Sequence, residues 1–166
     1  MQPHWYILFV AALIPLIVGF IWYNPNVFGN PWMRSIGATP ESLKGGNMAL
    51  IFGLCYIFGV MLSAALMSIV IHQMHMLSMF ANDTTMKDPN SESSLYVKHF
   101  FDTYGSTFRT FKHGAFHGII ATLFIALPII GTLALFERRG FKYIAIHIGY
   151  WLVTISLMGG VICQFM

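Results

Sequence analysis

Four stretches of the chain are apolar almost without interruption, and the polar residues gather in the segments between them. The apolar stretches cover residues 5–23, 48–71, 114–136 and 141–164. Each is close to the ~20 residues that a helix needs to cross the hydrocarbon of a bilayer. Backbone polar groups in hydrocarbon must be satisfied within their own segment, so each stretch is predicted to be a helix. The alternating ten-residue runs of a membrane β-barrel do not occur. Trp5-Tyr6 and Trp22-Tyr23 bracket the first span, at the two depths where aromatic residues collect. The apolar character of the second span continues to Phe80. The pattern predicts an all-α membrane protein, a four-transmembrane-helix bundle forming a single membrane domain over residues 1–166.

The connecting segments differ in kind. Residues 24–46 hold three Pro starts, Asn24-Pro25, Asn30-Pro31 and Thr39-Pro40, each a cap residue followed by Pro at the first helical position. Gly29, Gly37 and Gly45 follow them where left-handed C-caps are wanted. Short interfacial helices are expected there, the better candidate at 31–36, with Asn47 capping the second span. Residues 72–113 form the polar loop. Its 82–94 portion is rich in Asp, Asn, Ser, Thr and Pro and reads as surface. Phe100, Tyr104, Phe108 and Phe111 then recur at helical spacing between charges, which predicts an amphipathic helix over 95–111 lying on the membrane, with Gly105 interrupting it. Glu137-Arg138-Arg139-Gly140 makes a tight hairpin of the last two spans. The positive-inside rule weights short loops. Arg138, Arg139 and Lys142 therefore place that hairpin in the cytoplasm and the termini outside.

Composition agrees with the pattern. Of 166 residues, 57% are hydrophobic and 9% charged, against about 25% charged in a soluble domain. The chain cannot cover a water-facing surface of its own size. The lipid bilayer is therefore its first partner. A net charge of +3, scattered through loops, gives no support to nucleic-acid binding. Cys55 and Cys163 lie in apolar runs and read as small hydrophobes. Pro15/Gly19 and Pro128/Gly131, with Ala49/Gly53 and Ala145/Gly149, hint at two similar hairpins related by an axis along the membrane normal.

Two motif blocks carry a resemblance. The first contains Trp22-Tyr23-Asn24-Pro25, Phe28-Gly29, Trp32-Met33-Arg34, Gly37 and Lys44-Gly45-Gly46-Asn47-Met48-Ala49. The second contains Leu135-Phe136-Glu137-Arg138-Arg139, Lys142-Tyr143-Ile144, Gly149-Tyr150-Trp151 and Leu157-Met158-Gly159-Gly160. Together they resemble the bacterial integral membrane domain-of-unknown-function family seventeen-sixty-one. The resemblance implies a four-helix protein of the bacterial inner (cytoplasmic) membrane, and it implies no activity. Residues 82–112 exceed what a typical member needs.

The residues that can carry chemistry are few. His72-x-x-His75 closes the second span and His113-x-x-x-His117 opens the third, so each pair shares a helical face and both lie at one membrane surface. Four imidazoles there can bind zinc or copper. Met74, Met76 and Met79 nearby suit cuprous copper. The alternatives are a haem held by two of the histidines, or interfacial histidines with no ligand. His147 lies inside the fourth span, where an ionisable group is a functional candidate by default. Its structural alternative is a neutral imidazole bonded to a neighbouring helix, for example to Tyr56. Glu137 is expected to pair with Arg34 and tie the first loop to the hairpin, with a proton relay as the functional alternative.

No nucleophile–base pair, phosphate loop or paired carboxylates appear, so the chain is expected not to be an enzyme. The leading expectation is a self-associating membrane module, a homo-oligomer that binds or passes a small solute, ion or lipid. The excess of glycines in spans over what one bundle needs argues for self-association. A histidine-cluster metal or redox module and an accessory subunit of a larger membrane complex are the alternatives.

Overall fold

A computed structural model describes residues 3–166. The described chain is helical throughout, 76% helix with no strand. Helices α1 (Tyr6–Ala11) and α2 (Ile14–Trp22) form the first apolar segment, broken at Ala12-Leu13. Pro15 stands in the first turn of α2 and has no N–H to offer, so the ladder lapses just before it. A π-turn over Pro25–Gly29, capped by Asn24, leads into α3 (Asn30–Ile36), which ends on Gly37 at φ 70°. The expected interfacial helix at 31–36 is this one. Helix α4 (Met48–Val70) starts on the Asn47 side chain, which accepts from Leu50 N–H. Ile71 leaves helical space at φ −110° and ψ 90°. The helix therefore does not run on to Phe80, and α5 (Gln73–Met79) begins in a new direction.

After a 3₁₀ turn at Thr84–Lys87 comes α6 (Glu92–Tyr104), capped by Ser91. The amphipathic helix thus starts and stops earlier than its aromatic spacing suggested. Gly105 ends it, and Phe108 lies at φ 61°, outside any right-handed helix. Thr110 then caps α7 (Phe111–Ala121), whose axis passes through a π-turn at Thr122–Ala126 into α8 (Leu127–Phe136). Pro128 withdraws one backbone donor there, and the wide turn absorbs the mismatch. Helix α9 (Phe141–Phe165) completes the chain.

Three helices are long and apolar enough to cross a membrane: Met48–Val70, Phe111–Phe136 and Phe141–Phe165. Tyr6–Trp22, bent by 59° against Pro25–Ile36, is the fourth candidate. Its course is read from its ends. His4 N–H donates to Met166 O, whereas Trp22 Nε1 donates to Ile146 O. Twenty residues of α9 separate those points, about 30 Å of helix. The first segment therefore runs the length of α9, and α3 folds across the far end.

Helix α9 is the centre of the bundle, packed by α1 and α2, by α4, and most extensively by α7. The α7–α9 seam is built from small residues. Gly114 lies against Gly159, Gly118 against Ile155 and Ser156, and the Thr122 hydroxyl reaches Trp151 O. Two glycines four residues apart present no side chain, which lets two antiparallel backbones touch. Gly53 does not take part. Among the described residues, nothing approaches within 4 Å of where its side chain would be, and α4 from 48 to 58 is exposed except at Tyr56. The reason is the length of α4, whose buried residues Gly59, Ser63, Leu66 and Val70 all lie in its later half. The apolar core clusters at that end, around Leu66, Val70, Met158, Ile162 and Cys163.

Candidate metal centre

Three of the histidines converge beside the end of α4 and the start of α7. His72 occupies the break between α4 and α5 as the N-cap residue of α5. His113 and His117 stand one turn apart on α7, with the Thr110 hydroxyl accepting from His113 N–H. Nε2 of His72 is 3.0 Å from Nε2 of His113. Ring centroids lie 4.9 Å apart for His72 and His117, and 4.5 Å apart for His113 and His117. One ring nitrogen from each of the three falls within 4.8 Å of the other two. A tetrahedral zinc with Zn–N of 2.0–2.1 Å holds its ligand atoms about 3.3 Å apart. The widest of these separations must therefore shrink by up to about 1.5 Å for the group to close on an ion.

His75 does not join the group. The expected pairing of His72 with His75 assumed one continuous helix, and the chain bends at Ile71. Gln73 sets the new direction. Its buried amide donates to Tyr104 O at 3.0 Å and to Thr107 O at 2.9 Å, and His75 is turned to the exposed side. A lone Gln between two His at the end of an apolar run was the available signal for this anchor. Phe108 carried no signal, yet its ring stacks on His113 at 5.0 Å and 20°. His72 is exposed and the other two are half-buried, so the group opens to the protein surface.

His147 lies apart from the triad, near the opposite end of α9. Its Nδ1 shares a 2.9 Å hydrogen bond with the Tyr23 hydroxyl, and Tyr143 packs edge-on at 4.3 Å. Its Nε2 is shielded and has no partner among the described residues. Tyr56, named from sequence as a partner, instead donates to Phe9 O. Glu137 pairs with Arg139 at 3.5 Å, and among the described residues no ion pair joins it to Arg34. Arg138 at φ 57° turns the hairpin so that Arg139 folds back on Glu137. Arg139 also donates to Ile36 O at 3.5 Å, so the first loop is tied to the hairpin through that guanidinium.

The family described as Protein of unknown function (DUF1761) matches residues 6–163, nearly the whole chain. The chain belongs to it. The match runs through all three converging histidines, through His147, and through the polar segment between α4 and α7. No curated protein and no solved structure matches the chain. Membership of DUF1761 confirms the family read from the two motif blocks and assigns no activity.

Within this DUF1761 chain the triad is the group whose chemistry is best defined. Neutral imidazoles are the commonest metal ligands and suit zinc, copper and nickel. Three ligands leave one coordination position to water or to an incoming molecule, as in open rather than structural zinc sites.

Proposed function

We propose that the protein is a membrane-embedded metal-binding module that takes one zinc ion, or a copper ion, at His72, His113 and His117. The observation that carries this is the convergence of three imidazoles from two separate helices on one point. Residues 41 positions apart in sequence bring Nε2 atoms to 3.0 Å, where the two imidazoles share a hydrogen bond. The site is an exchangeable one, since it has three ligands, an open position and a route to water. It works as a binding site and not as an enzyme.

The protein belongs in this reading to the bacterial inner membrane, with the termini and the triad outside and the hairpin at 137–140 inside. Self-association rests on a separate observation. The exposed early half of α4 presents Leu50, Ile51, Leu54 and Ile57 beside Gly53, a surface that a second copy can cover as readily as lipid.

Isothermal titration of the purified protein with zinc and with copper, backed by elemental analysis, tests the metal. One ion per chain is expected. Substituting His113→Ala or His117→Ala should abolish binding, and His75→Ala should leave it intact. Equal loss in all three variants, or no binding by the wild-type chain, would overturn the reading. Native mass spectrometry in mild detergent tests self-association, against which a monomer at every concentration would count.

A further inference from the structure

The three histidines stand at the two ends of one segment. His72 opens the polar excursion that contains α5, the 3₁₀ turn and α6, and His113 and His117 receive the chain as it re-enters the bundle. We infer that the metal at this site is a latch, fastening the exit and re-entry of residues 73–112 and so controlling whether that segment stays folded against the bundle. The inference rests on the metal reading above and goes on to say what the ion does.

Other contacts at the same place show how the ends are held. At the exit, the helix break leaves Val70 O without its helical partner, and the Cys163 thiol donates to it at 3.4 Å. The same thiol lies 3.3 Å from Phe108 O at the re-entry. Gln73 joins the start of α5 to the last turn of α6 through neutral amide bonds. Phe111 N–H donates to the Gln164 side chain. Most of these ties are neutral hydrogen bonds, and a sulfur is a weak donor; the charged one is Arg109 Nε, which donates to Cys163 O at 2.8 Å. The re-entry also holds a strained residue, since Phe108 is a bulky aromatic at φ 61° with its ring held against His113. Arg109 holds the re-entry to α9, while the exit at His72 is joined to the re-entry only by neutral bonds, and one ion shared by His72, His113 and His117 adds a direct fastening between the two ends. Metal clips that close long loops gain most in this way.

Linkage gives the size of the effect. An ion that binds only while the ends are together suppresses their separation by a factor of 1 + [L]/Kd, about a hundredfold at a hundred times Kd. Hydrogen exchange of the intact protein in detergent, with zinc chloride as the only added metal, reads this directly. Amides of α5 and α6 should slow about a hundredfold under that saturation. Amides of α9 between Ile155 and Ile162, which the latch does not touch, should not change. His117→Ala keeps the His72–His113 contact and is expected to show the zinc-free exchange pattern whether or not zinc is added. A second variant, His72→Ala, removes the ligand on the other side of the segment and should behave in the same way.

Zinc binding by titration with unchanged exchange in α5 and α6 overturns the latch and leaves the metal site standing. Failure of the wild-type chain to bind zinc or copper overturns the metal site, and the latch falls with it. Slowing of α9 amides to the same degree as α6 also overturns the latch, because zinc would then be stabilising the whole fold.

Discussion

At position 147 an imidazole sits six residues into α9, about 9 Å along the helix, and hydrogen-bonds with the Tyr23 hydroxyl. Replacing it with an apolar side chain of similar bulk strands that hydroxyl. His147→Leu is therefore expected to destabilise the protein by about 1–3 kcal/mol, the penalty of an unsatisfied buried polar group. Tyr23→Phe removes the same bond from the other side, and the double variant His147→Leu/Tyr23→Phe should recover part of the loss. Thermal unfolding in detergent measures all three, and a strictly additive double variant would show that the bond contributes nothing. Asp83 gives a pH test. Hydrogen bonds from the Ser93 hydroxyl, and then from the Thr85 hydroxyl and N–H, hold its carboxyl below the ordinary value of 3.8. A carboxyl lowered in the folded state contributes stability above its unfolded pKa and loses it as pH falls through the folded one. Protection factors at Thr85 and in the first turn of α6, with the intrinsic pH dependence of exchange divided out, should therefore be constant above about pH 5. They should fall only below pH 3.8, and Asp83→Asn should remove the pH dependence.

At the scale of elements the sharpest contrast lies between two glycines that look alike in sequence. A methyl on Gly118 would meet Ile155 O and the Ser156 Cα at 2.6 Å, both backbone atoms that cannot move aside. Gly118→Ala must push α7 from α9 and is expected to cost about 1–3 kcal/mol, as overpacking does. Gly53 faces open space, and Gly53→Ala should be neutral or stabilise α4 by about 0.5–1 kcal/mol through helix propensity. Parallel denaturation curves test the pair, and equal losses would disprove the seam. The contrast also marks how far sequence reaches. Hydrophobic runs announce that helices exist and how long they are, because lipid imposes both on the chain directly. Which face of α4 is covered depends on where α9 lies, and no local pattern encodes that. The break at Ile71 was hidden for a related reason. Apolar residues continue across it, and only Gln73, fixed by carbonyls more than thirty positions away, redirects the helix. So the i, i+4 pair on α7 was legible, and the pair expected at 72 and 75 was not. Glu137 shows the same limit, since a left-handed Arg138 selected Arg139 in place of Arg34.

For the whole molecule, the decisive matter is whether the first segment crosses the bilayer or turns back within it. Tyr6–Trp22 is broken at Ala12-Leu13 and bent by 59° from Pro25–Ile36, features that a re-entrant loop would share. Its contacts follow the length of α9. It begins beside Met166, passes Gly59 of α4 at Ala12, and ends with Trp22 on Ile146 and Tyr23 on His147. A loop that returned to its own side would bring Tyr23 back towards Met166, about 30 Å from where it is found. A crossing would put His4, the segment around Asn90 and Met166 on one face, and Lys44 and Gly140 on the other. Single cysteines at positions 90, 44 and 140, introduced after Cys55 and Cys163 are replaced by Ala and Ser, test this with a membrane-impermeant maleimide on oriented vesicles. Positions 44 and 140 should label together and position 90 from the opposite side. A tag ahead of His4 should follow position 90. Labelling of that tag together with positions 44 and 140 would mean that the first segment does not cross. It would also remove the antiparallel packing of α2 on α9, and with it the setting of His147.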